Sequence, residues 1–238
     1  MIRYLLLCLL FSCGNSSRGT LRIGVDPNWY PLDFGTQVSY VNGFTEELLV
    51  ELAHYSGLEF EKIPANWDTL FDGLRRNQYD AVLTSMEPYI FNTARYDFSS
   101  NFLTLGPVLI VPVGSSHETL ASFQEALIGI ITNDPAVNLI EVHPNLIIRK
   151  YATIPELLNA LAIGEVQGAL LDQIPAVNYV ADLYADRLKI AGAPLNQKGL
   201  HLLALKDHSH LVAVFNKNLD AFKRKKQFQD LLKKWHLI

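Results

Sequence analysis

Between residues 21 and 34 the chain reads LRIGVDPNWYPLDF, and its apolar positions change rhythm partway. Leu21, Ile23 and Val25 alternate with Arg22 and Gly24, the period of a half-buried strand. Asp26, two prolines and two adjacent aromatics follow at once. In GFTEELLVELAHYSG (43–57), Phe44, Leu48, Leu52 and Tyr55 fall on one helical face, and Gly57 is a stop. LEFEKI (58–63) alternates as a strand, DTLFDGLRRNQ (68–78) has a helical period, and YDAVLTS (79–85) reads as a buried strand. The rest of this pattern predicts strands at 107–113, 127–131, 146–151 and 167–172, with helices at 118–126, 134–142 and 154–163. Strand–helix alternation of this kind predicts right-handed crossovers, mostly parallel sheets and an α/β class.

The pattern also echoes itself. TLFDGLRRNQYDAVLTSMEP (69–88) and ELLNALAIGEVQGALLDQIP (156–175) align without a gap at an offset of 87 residues. Both read helix, tight loop, buried strand, polar residue and proline, which predicts one supersecondary unit used once in each of two lobes. Ligands of open α/β sheets bind beyond the carboxyl ends of strands. Those ends are Asp26, Thr84-Ser85, Asn133-Asp134 and Asp172.

A chain of 238 residues with 49% hydrophobic and 18% charged residues is globular and long enough for one large domain or two modest ones. The formal charge of −4 argues against a general nucleic-acid binder, and KRKK (223–226) reads as a solvated helix face. At the N-terminus a basic start, Arg3, precedes the apolar run YLLLCLLF (4–11), too short to span a membrane but suited to a signal peptide over 1–12. LFSC (10–13) resembles the bacterial lipobox, so Cys13 is the expected lipidation site and 13–20 the acylated cysteine and its polar linker. An ordinary signal peptide is the plainer alternative. Cys8 and Cys13 are the only cysteines, and Cys8 lies in the leader, so a mature chain holds no disulfide. Cleavage removes Arg3 and leaves 19 basic against 24 acidic residues. The seven histidines form no HExxH, and HSH (208–210) reads as a loop before a helix. Without GxSxG, GxGxxG or a P-loop, no catalytic residue, metal ligand or cofactor is expected.

Taken together, LRIGVDPNWYPLDF, NGFTEELLVELAHYSGLEFEKI, WDTLFDGLRRNQYDAVLTSM, YDFSSNFL, ALIGIITNDP, VQGALLDQIPA and the closing GLHLLALKDHSHLVAVFNKNLDAFKRKKQFQDLLKKW resemble, in order and spacing, a bacterial solute-binding protein of the polar amino-acid ABC transporter type. The resemblance covers roughly residues 20–238. It implies a two-lobed, periplasmic-binding-protein-like fold of type II, with the ligand cleft between lobes joined by a two-strand hinge. Lobe 1 would be 21–106 plus 195–238, and lobe 2 would be 107–194. It further implies that Asp26 contacts the ligand side chain, and that Trp29 and Trp67 sandwich a flat or cationic group. Thr84 and Ser85 would offer hydroxyl and backbone groups, and Asp172 would hold an ammonium. Read as structure alone, Trp67 is core and Asp26 caps a turn.

Where the family places a carboxylate-clamping arginine, this chain has Asn92, and where it presents a Ser/Thr pair at a helix N-terminus, this chain has Asp134-Pro135. Glu87 stands where a small hydroxyl residue is usual. Arg95, one helical turn from Asn92, either reaches back to a carboxylate or is a surface residue. Asp26, Glu87, Asp134 and Asp172 would concentrate negative charge in one cleft. The expectation is therefore a non-enzymatic capture protein for a small amine-bearing solute, most of all a cationic amino acid. Its expected partners are an ABC permease in the inner membrane and the lipid bilayer, reached through acylated Cys13, and its location is the periplasm or cell surface. The same fold also hosts ligand-sensing modules, which could signal in trans to a receptor, and dehydratase-like enzymes.

Overall fold

The computed structural model describes residues 19–238, so the signal peptide and Cys13 lie outside the described residues. The first run of elements is β1 (Thr20–Val25), α1 (Val38–Ser56), β2 (Glu59–Pro64), α2 (Trp67–Arg75), β3 (Ala81–Thr84), α3 (Ile90–Thr93), β4 (Tyr96–Phe98) and β5 (Leu103–Thr104). A second run follows: β6 (Pro107–Pro112), β7 (Ala126–Ile131), α4 (Val137–Glu141), β8 (Leu146–Tyr151), α5 (Ile154–Ala162), β9 (Gly168–Asp172), α6 (Gln173–Leu183) and β10 (Leu188–Ala191). The chain closes with β11 (Gly199–Leu205), α7 (Ser209–Lys223) and α8 (Lys226–Lys234).

Two sheets result, and they share one topology. The first has the order β2-β1-β3-β11-β4, with β5 added beside β11; the second runs β10-β6-β9-β7-β8. In each, three parallel strands (β2, β1, β3 and β8, β7, β9) meet an antiparallel fourth, β11 or β6. The internal echo holds to the residue. Trp67–Arg75 and Ile154–Ala162 are 87 apart at both ends, and so are their N-caps, Asn66 and Thr153, each of which accepts a backbone N–H through its side chain. Each helix ends alike: Asn77 and Gly164 take positive φ, at 55° and 82°, and their N–H groups donate to Leu74 and Leu161.

Each sheet buries both faces. In the first, Ile23, Leu83 and Leu202 pack on Phe44 and Leu48 of α1 and Phe215 and Leu219 of α7. Val82 and Leu203 face the opposite way, onto Leu70 and Leu74 of α2. In the second, Val108 and Ile110 meet Leu157 and Leu161 of α5, while Leu109 and Val111 meet Ile140 and Phe123. Such alternation is what a sheet covered on both sides demands of its strands.

Three local readings change. The first long helix starts at Val38, five residues before the periodic stretch. The helix expected at 118–126 is a single 3-10 turn, Leu120–Ser122, and β7 already begins at Ala126. The helix expected from 134 begins at Val137, after a turn in which Asp134 Oδ1 accepts the Ala136 N–H at 2.8 Å.

The chain passes from one sheet to the other between β5 and β6 and returns between β10 and β11. The two passages are bonded side by side: Leu105 N–H donates to the Lys198 carbonyl and Leu195 N–H to the Pro107 carbonyl, both at 2.8 Å. Gly199 is tightly enclosed here, since a Cβ would lie 2.5 Å from the Leu103 carbonyl oxygen. The sheets also touch through Ile174 of α6, which is buried in the same core as Leu105.

Candidate functional site

The open ends of β1, β3, β7 and β9 carry the polar residues that the strand pattern singled out. After β1, Asp26 is buried and its Oδ1 accepts the Asn28 N–H at 3.0 Å. Its carboxylate therefore does what an Asp in a turn commonly does. Thr84 Oγ1 accepts the Met86 N–H at 3.1 Å, and Ser85 Oγ donates to the Tyr30 carbonyl at 3.4 Å. The Ser85 hydroxyl ties the end of β3 to the turn after β1, while the Thr84 hydroxyl shapes the turn after its own strand.

Trp29 is placed differently from the expectation that it flanks a ligand. Its φ of 59° turns the indole inward, where it is 2% exposed and packs 6.2 Å from Phe102. Its Nε1 donates to Asn42 Oδ1 at 2.8 Å. A large ring beside an apolar core gains most by burial, and its polar N–H is satisfied there. The neighbouring Tyr30, 56% exposed, takes the outward position and lies 5.7 Å from Trp67, ring centre to ring centre. The aromatic pair on this wall is Tyr30 with Trp67, not Trp29 with Trp67.

Trp67 heads α2, edge-on to Phe71, and borders a cavity of about 500 Å³ together with Met86, Asn92 and Arg95. Asn92 spends its side-chain amide on the Glu87 carbonyl, at 2.8 Å, closing the 87–92 loop. The Arg95 guanidinium is exposed and makes no hydrogen bond or ion pair among the described residues. Tyr89, Ile90 and Phe91 project into solvent beside it.

The remaining acids gather around a residue that the strand-end reasoning missed. Asp172 closes β9 and precedes α6, yet its carboxylate does not cap that helix. Instead Asp172 Oδ2 accepts a hydrogen bond from Lys198 Nζ at 3.0 Å, with the two side chains 43% and 29% exposed. Lys198 belongs to the returning passage, and its own N–H is fixed by Asn196 Oδ1 at 3.0 Å. Burial pushes the Glu87 carboxyl above its usual range, opposed by a hydrogen bond from the Gly199 backbone and by Lys198. Burial also raises Asp134, against the Ala136 hydrogen bond; Asp172 adds to the rise, while Lys198 works against it. Glu87, Asp134, Asp172 and Lys198 thus form one electrostatic group drawn from both sheets and the passage between them.

Two cavities flank the Lys198–Asp172 pair. One, about 270 Å³, lies between the Pro31–Phe34 turn and the start of α6; the other, about 200 Å³, lies against Asp134, Pro135 and Asn138. The structure therefore groups Glu87, Asp134 and Asp172 in one place and Trp67, Asn92 and Arg95 in another. It leaves Asp26 and Trp29 inside the first sheet's loops. One signal for Lys198 was available: it is the only basic residue in the stretch 195–200, which directly follows the expected lobe boundary at 194/195. Chemically, the arrangement can hold an ammonium on a carboxylate and an anion on an ammonium, with aromatic faces nearby.

A family profile described as "Bacterial extracellular solute-binding proteins, family 3" matches residues 21–238. The L-cystine-binding protein TcyJ of Escherichia coli K12 is 22% identical over 92% of this chain and 83% of its own length. The arginine-binding extracellular protein ArtP of Bacillus subtilis is 25% identical over 96% of this chain and 94% of its own. Among solved structures, the L-cystine solute receptor of Neisseria gonorrhoeae in its unliganded open conformation superposes with a TM-score of 0.70. It is 16% identical and covers 92% of this chain and 93% of that one.

Proposed function

The chain belongs to family 3 of the bacterial extracellular solute-binding proteins, and from that premise we propose that it captures a small amine-bearing amino acid for an ABC permease, with no chemistry performed on it. Residues 21–106 with 195–238 form one lobe in this reading, and 107–194 the other. The observation that carries the reading is Asp172, a partly exposed carboxylate at a strand end that leaves its own helix uncapped and faces the space between the sheets. A cationic amino acid is favoured, because Glu87, Asp134 and Asp172 outnumber Lys198. The names of the relatives agree with an amine-bearing amino acid: arginine is cationic, and cystine, net neutral, carries two ammonium and two carboxylate groups. Tyr30 and Trp67 supply the aromatic wall, Thr84 and Ser85 offer hydroxyl and backbone groups at the end of β3, and Arg95 borders the outer cavity.

The test is mass spectrometry of ligand retained by the purified protein, followed by calorimetry with arginine, cystine and glutamate. Asp172→Asn should weaken every amine-bearing ligand. Glutamate binding more tightly than arginine would overturn the charge argument.

The location follows from the leader. In this reading Cys13 is acylated and holds the protein on a membrane at the periplasmic or cell-surface side, where more than one acyl chain gives a lasting hold. A fatty-acid probe should label the wild type, and Cys13→Ser should move it to the soluble fraction. An unlabelled wild type sinks the anchor.

A further inference from the structure

Lys198 is the sole basic side chain on the walls of the two cavities that flank Asp172, among the described residues. It is held there by backbone rather than chance. Its N–H is bonded to Asn196 Oδ1, its carbonyl accepts from Leu105, and the next residue, Gly199, pairs with Thr104. The ammonium is therefore presented to the cleft from a fixed stem, 3.0 Å from Asp172 Oδ2.

An ammonium placed on the very carboxylate proposed to hold a ligand's amine poses a problem for a simple amine. A bare amine approaching Asp172 must compete with Lys198 and, once bound, leaves that lysine beside a second positive charge. A zwitterion meets no such penalty. We infer that Lys198 is the carboxylate-binding residue of the cleft, and that an amino acid enters by exchange of ion pairs. The ligand ammonium takes Asp172 from Lys198, and the ligand carboxylate takes Lys198 from Asp172. Every charge has a partner before and after the exchange, so selectivity for a free carboxylate next to the amine is built into the cleft. The Lys198–Asp172 pair is partly solvated on both sides, which makes it weak enough to open; a fully buried pair would not be. Asn92 cannot share the task, since it is neutral and engaged with the Glu87 carbonyl. Asp134 and Glu87 remain for a second, side-chain amine.

This inference rests on the proposed capture of an amine-bearing amino acid, and paired ligands separate the two. Calorimetry compares L-arginine with agmatine, L-lysine with cadaverine and L-cystine with cystamine; the first two partners lack only the one carboxylate, and cystamine lacks both of cystine's. Wild type should prefer the amino acid of a binding pair by about tenfold or more. Lys198→Met should erase that preference, lowering affinity for the amino acid to that of its amine while the amine binds unchanged or tighter. Lys198→Arg should restore most of it. The wild-type preference is read without any variant, so poor folding of Lys198→Met does not rescue the idea. If wild type binds amines as well as amino acids, or Lys198→Met keeps the preference, the exchange is overturned and the capture reading stands. If no member of any pair binds, the capture reading fails, and this inference with it.

Discussion

The Trp29 indole donates to Asn42 Oδ1 at 2.8 Å, and Asn42 Nδ2 donates back to the Pro27 carbonyl at 3.0 Å. One asparagine on α1 thus fixes both the buried ring and the turn that carries it. Asn42→Leu keeps the bulk but removes the acceptor, leaving a buried N–H with no partner. The expected cost is about 1–3 kcal/mol of stability, read as a lower urea midpoint. A midpoint within error of wild type would mean that the ring finds another acceptor.

His201 gives the stability a pH dependence of known sign. Burial holds its pKa below the usual histidine value, against a raising hydrogen bond to Ser99, and Lys223 adds to the lowering. Nδ1 lies 2.9 Å from the Ser99 carbonyl and must carry the proton, which leaves Nε2 buried as an acceptor without a partner among the described residues. Well above about pH 6.5 the ring is neutral in both folded and unfolded chains and contributes no slope. As pH falls below that, the unfolded chain takes up the proton first, so stability drops until the lowered folded pKa is reached. His201→Gln should flatten this part of the curve in urea titrations between about pH 5 and 8. An unchanged slope would place the titrating group elsewhere.

Glu87 has the opposite sign. Its carboxyl is raised by burial, so keeping it ionised at neutral pH costs stability that protonation restores as pH falls through the raised value. Glu87→Gln should melt above wild type at pH near 7, with the gap closing in acid, and should bind arginine more weakly. A variant that melts lower at neutral pH would show that the Gly199 and Lys198 contacts outweigh burial.

The passage between the sheets tolerates no side chain at Gly199. In Gly199→Ala the new methyl would meet the Leu103 carbonyl oxygen at 2.5 Å, so the two passages must separate. Overpacking of this kind costs about 1–3 kcal/mol. The variant should melt lower, and solution scattering should show a changed compaction on adding ligand. Unaltered melting and scattering would mean that the passages are looser than their hydrogen bonds imply.

Much of this architecture was legible because seven of the eleven strands and the longer helices carry their own period, whereas β4, β5, β10 and β11 were not read from theirs. The α2–β3 and α5–β9 units could be aligned by eye since cap, helix, αL residue and strand recur at one spacing. The misread segment at 118–126 shows the limit of periodicity. Leu120 and Phe123 are both buried, and a single turn suffices to bury a pair three residues apart. Trp29 and Tyr30 show a second limit. Two adjacent aromatics fit either face, and the choice was made by a positive φ at Trp29 that only the packed core enforces. Lys198 was hidden for a third reason: its partner, Asp172, is 26 residues away and meets it only because the chain crosses there. Local pattern marks strand ends well. It is silent about what a distant segment brings to them.

Lys198 lies on the passage between the sheets, and that location limits how far it can travel. When one body swings against another, displacement grows with distance from the axis. The edge strands β2 and β8 each stand three strands from β11 or β6, about 14 Å at the usual spacing. In the proposed capture, a charge on the axle would keep its place while those rims sweep, so a guest held by Lys198 would be gripped at the still point of the motion. Occupancy would then be recorded as a small angle at the centre and displayed as a large distance at the periphery, where a partner protein could read it.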